Sequence, residues 1–221
     1  MRGPTLPEVT LLELDPDQLL STTRAVRKRL DLTRPVPEDL IRECVAMALQ
    51  APSGSNVLTM QFVVVTDAEK RRAIGEVYRE CYAAYRESPG YAGRQVKPDA
   101  AGQAQQARVA ESADFLGEHM GEAPVLVIAC NRGRTREAAR AALGNVLPGT
   151  WSFMLAARAR GLGTSWTQLH LSREREVAGL LGIPYDTVAQ AVLTPVAYTK
   201  GTDFKPARRP APEEVIHWNG W

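Results

Sequence analysis

The chain is poor in the side chains that usually carry enzymatic chemistry. It has three cysteines and three histidines in 221 residues. Cys44, Cys81 and Cys130 are far apart, and no C-x-x-C occurs. An odd, dispersed set argues against a disulfide framework, so a reducing, cytoplasmic compartment and no metal centre are expected. His119, His170 and His217 stand alone, whereas a catalytic histidine needs a positioned partner. There is no H-E-x-x-H, no G-x-S-x-G and no phosphate loop ending in G-K-S/T. Gly161-Leu162-Gly163 runs into a strand rather than a helix, so it is no dinucleotide fingerprint. No apolar run nears the ~18 residues of a membrane span. The opening "MRGPTLPEVTLLELD" interleaves acids and lacks a continuous apolar stretch, so no secretory signal is expected. A net charge of +2 is too small for non-specific nucleic-acid binding.

What is present reads as a soluble globular protein: 44% hydrophobic and 24% charged residues. No internal repeat is found. Asp17 is expected to open a helix running to about Arg29. A second helix follows Pro37, Glu38 and Asp39, with Leu40, Ile41, Cys44, Val45, Ala48 and Leu49 as its buried face. "QFVVVT" at 61–66 reads as a buried strand, and Asp67 caps a helix to about Tyr85. Residues 87–103 are loose, either a lid or a connector. A helix over about 104–119 and a strand over "PVLVIAC" follow, then a basic loop region from 131. "LPGTWSFMLAARARGLG" is a long apolar helix closed by Gly161 and Gly163. A short strand over 164–169, a helix capped at Ser172 and a strong strand over 188–199 complete the body. The tail from 200 is Pro-rich, and its apolar Val215, Ile216, Trp218 and Trp221 call for a packing partner. Helices and strands intermix without a linker, which favours one domain with helices packed on a central sheet.

Between the second helix and its strand lies "APSGSN", small and polar, with no acid, base or thiol. Gly54 lets a backbone N–H approach a ligand closely. Two cationic clusters, Arg24–Arg29 and Lys205–Arg209, offer bidentate grips on an anion or a merely solvated face. A chain with no nucleophile of its own and these features fits a bound cofactor with a phosphate and a flat ring.

In order along the chain, "TTRAVRKRLDLTRPVP", "ALQAPSGSNVLTMQFVVVTD", "PVLVIAC", "MLAARARGLGTSWTQLHL" and "LGIPYDTVAQAVLTPVAYT" resemble the nitroreductase family of FMN-dependent oxidoreductases, and "FKPARRPAPEEVIHWNGW" resembles the ending of an actinobacterial-type branch. The resemblance spans about residues 17–221. It implies an α+β three-layer sandwich, one domain over 1–221 with a central mixed or antiparallel sheet, and an intertwined homodimer whose arm (about 200–221) packs on the partner. It implies FMN reduced by NADH or NADPH at N5, then ping-pong transfer to a nitroaromatic, quinone or similar flat acceptor. A dehalogenase or oxidase on the same fold, or a non-catalytic flavin-binding protein, are the alternatives. Carried over by position, Arg24, Ala25 and Arg27 hold the phosphate and ribityl chain, and Arg208 or Arg209 closes on the phosphate. Pro52, Ser53, Gly54 and Asn56 face the flavin from the other subunit, and Thr167, Gln168 and Leu169 line its edge near N5. Ala25 replaces a common serine. Leu58, Thr59 and Met60 replace a common Gln-Pro-Trp, which puts Leu58 and Met60 in the substrate pocket.

Overall fold

A computed structural model describes residues 11–221. The opening decapeptide, including the start of the apolar lead-in and most of the stretch read for a secretory signal, lies outside the described residues. Helix α1 (Pro16–Thr22) begins at Asp15, whose carboxylate accepts from Gln18 N at 2.7 Å while Gln18 Oε1 accepts from Asp15 N, a reciprocal cap. The helix expected to reach Arg29 stops at Thr22. The Thr22 and Thr23 hydroxyls donate to the carbonyls of Gln18 and Leu19 and so compete with helix propagation. The chain instead leaves the helix and bridges Ala25 to Thr164, then turns over 27–29, closed by Leu30 N donating to Arg27 O at 3.0 Å, before Leu30 bridges to Thr199.

The remaining elements are α2 (Glu38–Ala48), β1 (Met60–Val65), α3 (Ala68–Glu87), α4 (Ala100–His119), β2 (Val125–Arg132), α5 (Arg136–Ala141), α6 (Leu147–Ala159), β3 (Leu162–Thr164), α7 (Glu174–Leu181) and β4 (Val188–Tyr198). Asp67, Asp99 and Thr135 cap α3, α4 and α5 through their side chains. The expected cap at Ser172 is displaced: α7 starts two residues later, and the Ser172 hydroxyl meets Leu169 O and Cys81 Sγ. The strands form one sheet, ordered β1-β2-β4-β3, with every neighbouring pair antiparallel.

Side-chain alternation along β2 divides the core. Val125 and Val127 pack with Leu40, Cys44 and Phe153 of α2 and α6. Leu126, Ile128 and Cys130 pack with Ile74, Tyr78 and Val177 of α3 and α7. The result is helix, sheet, helix, as an α+β sandwich requires. Met60, expected in a substrate pocket, is instead a core residue, 4% exposed. It covers Gly149 of α6, where a Cβ would collide with its sulfur and come within 3.1 Å of Ala48 O. All three cysteines are free and buried, and burial pushes the Cys44 and Cys130 thiols up to about 12, so neither is a nucleophile near neutral pH.

A bulge interrupts β2–β4: Ala129 faces Val192 and Cys130 faces Gln190, leaving Ala191 unopposed. The freed Gln190 N donates to Glu174 Oε1 at 2.7 Å, and Gln190 Nε2 donates to Glu174 O at 2.9 Å. The other Glu174 oxygen accepts from Arg136 and, at 3.2 Å, from Arg140. Removing this buried carboxylate strands its donors. Glu174→Ala is expected to cost about 3 kcal/mol, the lower end for breaking a buried pair. Denaturant unfolding checks this, and a loss under about 1 kcal/mol would show that water replaces the carboxylate.

Candidate functional site

Leu162, Gly163 and Thr164 of β3 pair with Tyr198, Ala197 and Val196, and Thr167 resumes the same register opposite Leu193. Thr167 N donates to Leu193 O at 3.1 Å and Leu193 N to Thr167 O at 2.9 Å. Between them Ser165 falls opposite Pro195, which has no N–H to give. Of the strand expected over 164–169, only Thr164 and Thr167 pair with β4, and Leu169 already opens a 3-10 turn. Alternation sends Ser165 and Thr167 to one side.

That side opens into a cavity of about 410 Å³, within the range of ligand clefts. Its floor is Ser165 to Leu169, and Arg27, at the start of the 27–30 turn, enters from the side. Tyr78, Tyr82 and Tyr85 of α3 form a wall, with Ala113 of α4 behind. The three tyrosines sit at i, i+4 and i+7, so one helical face presents them together. Tyr82 and Tyr91 both donate to the Asp114 carboxylate at 2.9 Å. Ala92 N donates to Tyr85 Oη at 2.8 Å and Gln106 Nε2 to Ala92 O at 2.8 Å, so the loose-looking segment after α3 is tied to the cavity wall.

Of the residues expected at a cofactor site, Arg27, Thr167, Gln168 and Leu169 meet here. Burial pulls the Arg27 guanidinium below its ordinary value, and the neighbouring tyrosines oppose that pull. No carboxylate pairs with Arg27 among the described residues. Gln168 Nε2 donates at 2.9 Å to Ala191 O, the carbonyl released by the bulge. Ala25 is exposed beside Thr164.

The arginines outside the cavity divide by partner. Arg24 Nε donates to Lys205 O at 2.9 Å. Its pKa is lowered by burial and then by the positive charge of Arg209, so the early and late cationic clusters do converge. Arg208 pairs with Asp99 at 3.2 Å. Arg209, with no ion pair among the described residues, is the arginine left for an added anion.

Pro52, Ser53, Gly54 and Asn56 do not line this cavity. Gly54 abuts the Asn145 side chain, and Ser55 and Asn56 are consecutive left-handed residues, φ 54° and 56°. For non-glycine residues that conformation is uncommon and stores strain. Val57 and Leu58 beside them are about half exposed. The Tyr78–Tyr82–Tyr85 wall and the Ser165 hydroxyl were not anticipated. The helical tyrosine spacing is a visible signal for the first. Ser165 emerges only from the fold: it is buried, and its Oγ has no hydrogen-bond partner.

A family model described as the nitroreductase family matches residues 20–198. The chain belongs to the nitroreductase family. It is therefore an oxidoreductase by kinship, and the all-antiparallel sandwich is that family's fold. Among solved structures it is similar to an iodotyrosine deiodinase bound to FMN and 3-iodo-L-tyrosine (TM-score 0.69, 20% identity, 92% of this chain and 98% of that one). It is also similar to an FMN- and NADPH-dependent nitroreductase from sphigopyxis sp. strain HMH (TM-score 0.66, 22% identity, 94% and 100%). An NADH dehydrogenase of Thermus thermophilus is 41% identical over 70 residues, which are 31% of this chain and 33% of that protein. No described helix is long and apolar enough to cross a membrane.

His170 adjoins the floor, fully buried, with neither ring nitrogen bonded. Burial pushes its pKa down to about 4 from an ordinary 6.5. The unfolded chain therefore takes up this proton first, so the stability contribution is full above pH 6.5 and is lost as pH falls towards 4. His170→Leu is expected to flatten the acid limb of stability in that window by up to about 1.4 kcal/mol per pH unit. Urea unfolding at stepped pH measures it, and an unchanged slope would rule out titration at His170.

Proposed function

We infer that this nitroreductase-family member is an FMN-dependent NAD(P)H oxidoreductase, one domain per chain and a homodimer. The observation that carries the reading is the cavity itself: an unpaired Arg27 and an orphaned, buried Ser165 hydroxyl facing an aromatic wall. Those residues fit FMN. Trp166 and the tyrosines suit a flat ring, while Ser165 and Thr167 can donate to its polar edge. Arg24, Arg27 and Arg209 supply charge-assisted donors for the phosphate end, with Arg209 favoured over the Asp99-bound Arg208. When bound, FMN supplies the redox chemistry, taking a hydride from NADH or NADPH and passing it in a ping-pong sequence to a nitroaromatic, quinone or similar flat acceptor.

The protein's part is binding and orientation. The antiparallel rungs at Thr167 hold one wall fixed, and the Gln168 amide is committed to Ala191. The strained 52–56 loop, outside its own chain's cavity and flanked by exposed Val57 and Leu58, suits a contact reaching the partner's flavin. The exposed Trp218 and Trp221 suit an arm from about 200 to 221 lying on that partner. Leu58 remains beside the substrate in this arrangement, while Met60 does not. The deiodinase likeness keeps reductive dehalogenation as a second reading of the same site.

Purified protein is expected to be yellow, to run as a dimer by light scattering, and to oxidise NADH or NADPH with a nitroaromatic acceptor. A colourless protein that ignores added FMN overturns the reading. Rapid flavin bleaching on mixing with NAD(P)H excludes a non-catalytic flavin binder, and halide release from a halogenated phenol marks the second reading. Arg27→Ala is expected to weaken FMN binding by roughly 1.5–3 kcal/mol, the range for hydrogen bonds to charged groups. Fluorescence titration measures this, and unchanged affinity would make Arg27 a wall residue only.

A further inference from the structure

We propose that Tyr78 is a positioning residue that turns the Thr167 hydroxyl into a hydrogen-bond donor towards the cavity, and so biases the site to the oxidised form of its flavin. Tyr78 Oη lies 3.0 Å from Thr167 Oγ1. Distance alone does not say which donates. The surroundings do. Tyr78 is 3% exposed, and Thr167 is the one partner its hydroxyl has among the described residues. If Thr167 donated, the phenolic proton would be left buried with no acceptor, which costs more than the bond returns. A phenol is also the stronger acid of the two and the better donor. Burial raises the Tyr78 pKa, so the group keeps its proton across the physiological range.

Thr167 has no competing use for its own hydroxyl hydrogen. Both of its backbone groups are committed to Leu193. With one lone pair filled by Tyr78, its hydrogen is left to point into the space that Arg27, Ser165 and Trp166 share. A fixed donor discriminates between occupants. An oxidised flavin edge presents N5 as an acceptor, whereas the two-electron-reduced ring carries hydrogen on that atom. The hydrogen suits the first, while Tyr78 leaves the second only one of the hydroxyl's two lone pairs as an acceptor, so the balance shifts towards the first. This rests on the flavin reading above, in which Thr167 borders that edge. Tyr78 is itself held on both sides, by its stack on Tyr82 at 6.3 Å and by its place in the α3 core, so the hydroxyl cannot swing away.

The test is the ratio of two affinities, for oxidised FMN and for dithionite-reduced FMN under anaerobic conditions. Tyr78→Phe keeps the ring and removes the oxygen. It is expected to weaken oxidised FMN about fivefold, the size of one neutral hydrogen bond, while leaving reduced FMN unweakened. Thr167→Val removes the contact from its other side and should move the ratio in the same direction. Adding Tyr78→Phe to Thr167→Val should then change the ratio no further, since the two act as one unit. Thr167→Ser should keep the wild-type ratio. An unmoved ratio in Tyr78→Phe, or equal weakening of both forms, overturns the inference and leaves Tyr78 a packing residue. If wild-type protein takes up neither form, the flavin reading falls and this inference with it; binding of both forms with an unmoved ratio overturns this inference alone.

Discussion

Leu193 and Thr167 exchange two backbone hydrogen bonds, and the geometry of the whole site follows from that rung. It continues the β3–β4 register past a gap that Pro195 creates by having no N–H. Because the register is kept, Ser165 and Thr167 stay on one side, two residues apart. Because the rung at Ser165 is missing, the chain there is unpaired with β4 and borders the cavity that Tyr78 of α3 also lines. The Ala129–Cys130 bulge acts on the neighbouring seam. It releases Gln190 N to Glu174 and Ala191 O to Gln168, so two irregularities in β4 hold the cavity floor from opposite ends.

The cationic clusters serve a different constraint from the one their composition suggests. Three arginines, two from the 24–30 segment and one from α6, donate to carbonyls of one stretch of tail. Arg24 reaches Lys205 O at 2.9 Å, Arg29 reaches Lys200 O at 2.9 Å, and Arg158 reaches Thr202 O at 2.9 Å. Phe204 lies against two of these guanidiniums, at 4.2 and 4.9 Å from the ring centre. The tail is thereby set against the 24–30 segment, and Arg209 is brought within electrostatic reach of Arg24. Charge that looked like a solvated face thus anchors the tail, and Arg27 and Arg209 are left without an ion pair among the described residues.

Legibility followed the kind of signal. The strands at 60–65, 125–132 and 188–198 were plain because β-branched and aliphatic runs bounded by turn residues have few other uses. The helix after Asp67 was plain because a cap and a periodic face agree. The helix expected from Asp17 to Arg29 failed at Thr22, where hydroxyls of two threonines take carbonyls that a helix needs, and beyond which bridges from Ala25 to Thr164 and Leu30 to Thr199 hold the chain in a non-helical path. Met60 was misplaced because a methionine after a polar loop carries no mark of which way it faces. The absence of a Cβ at Gly149 of α6, far along the chain, makes the room that its sulfur fills.

The sequence by itself determined the class of answer. Ordered motifs marked the family, the lack of a reactive thiol or paired histidine pointed to a borrowed cofactor, and Arg27, Thr167, Gln168 and Leu169 were nominated by carrying the family resemblance over position by position. Only the tertiary structure decided how these residues work together. Whether Arg208 or Arg209 is free depends on Asp99, 109 residues away. That Ser165 is an orphan depends on burial, and that the Thr167 hydroxyl has a partner depends on Tyr78 of α3. A hydroxyl or guanidinium has the same side chain wherever it stands, and its function is set by which partners occupy its donors and acceptors, a property that exists only once distant segments have packed.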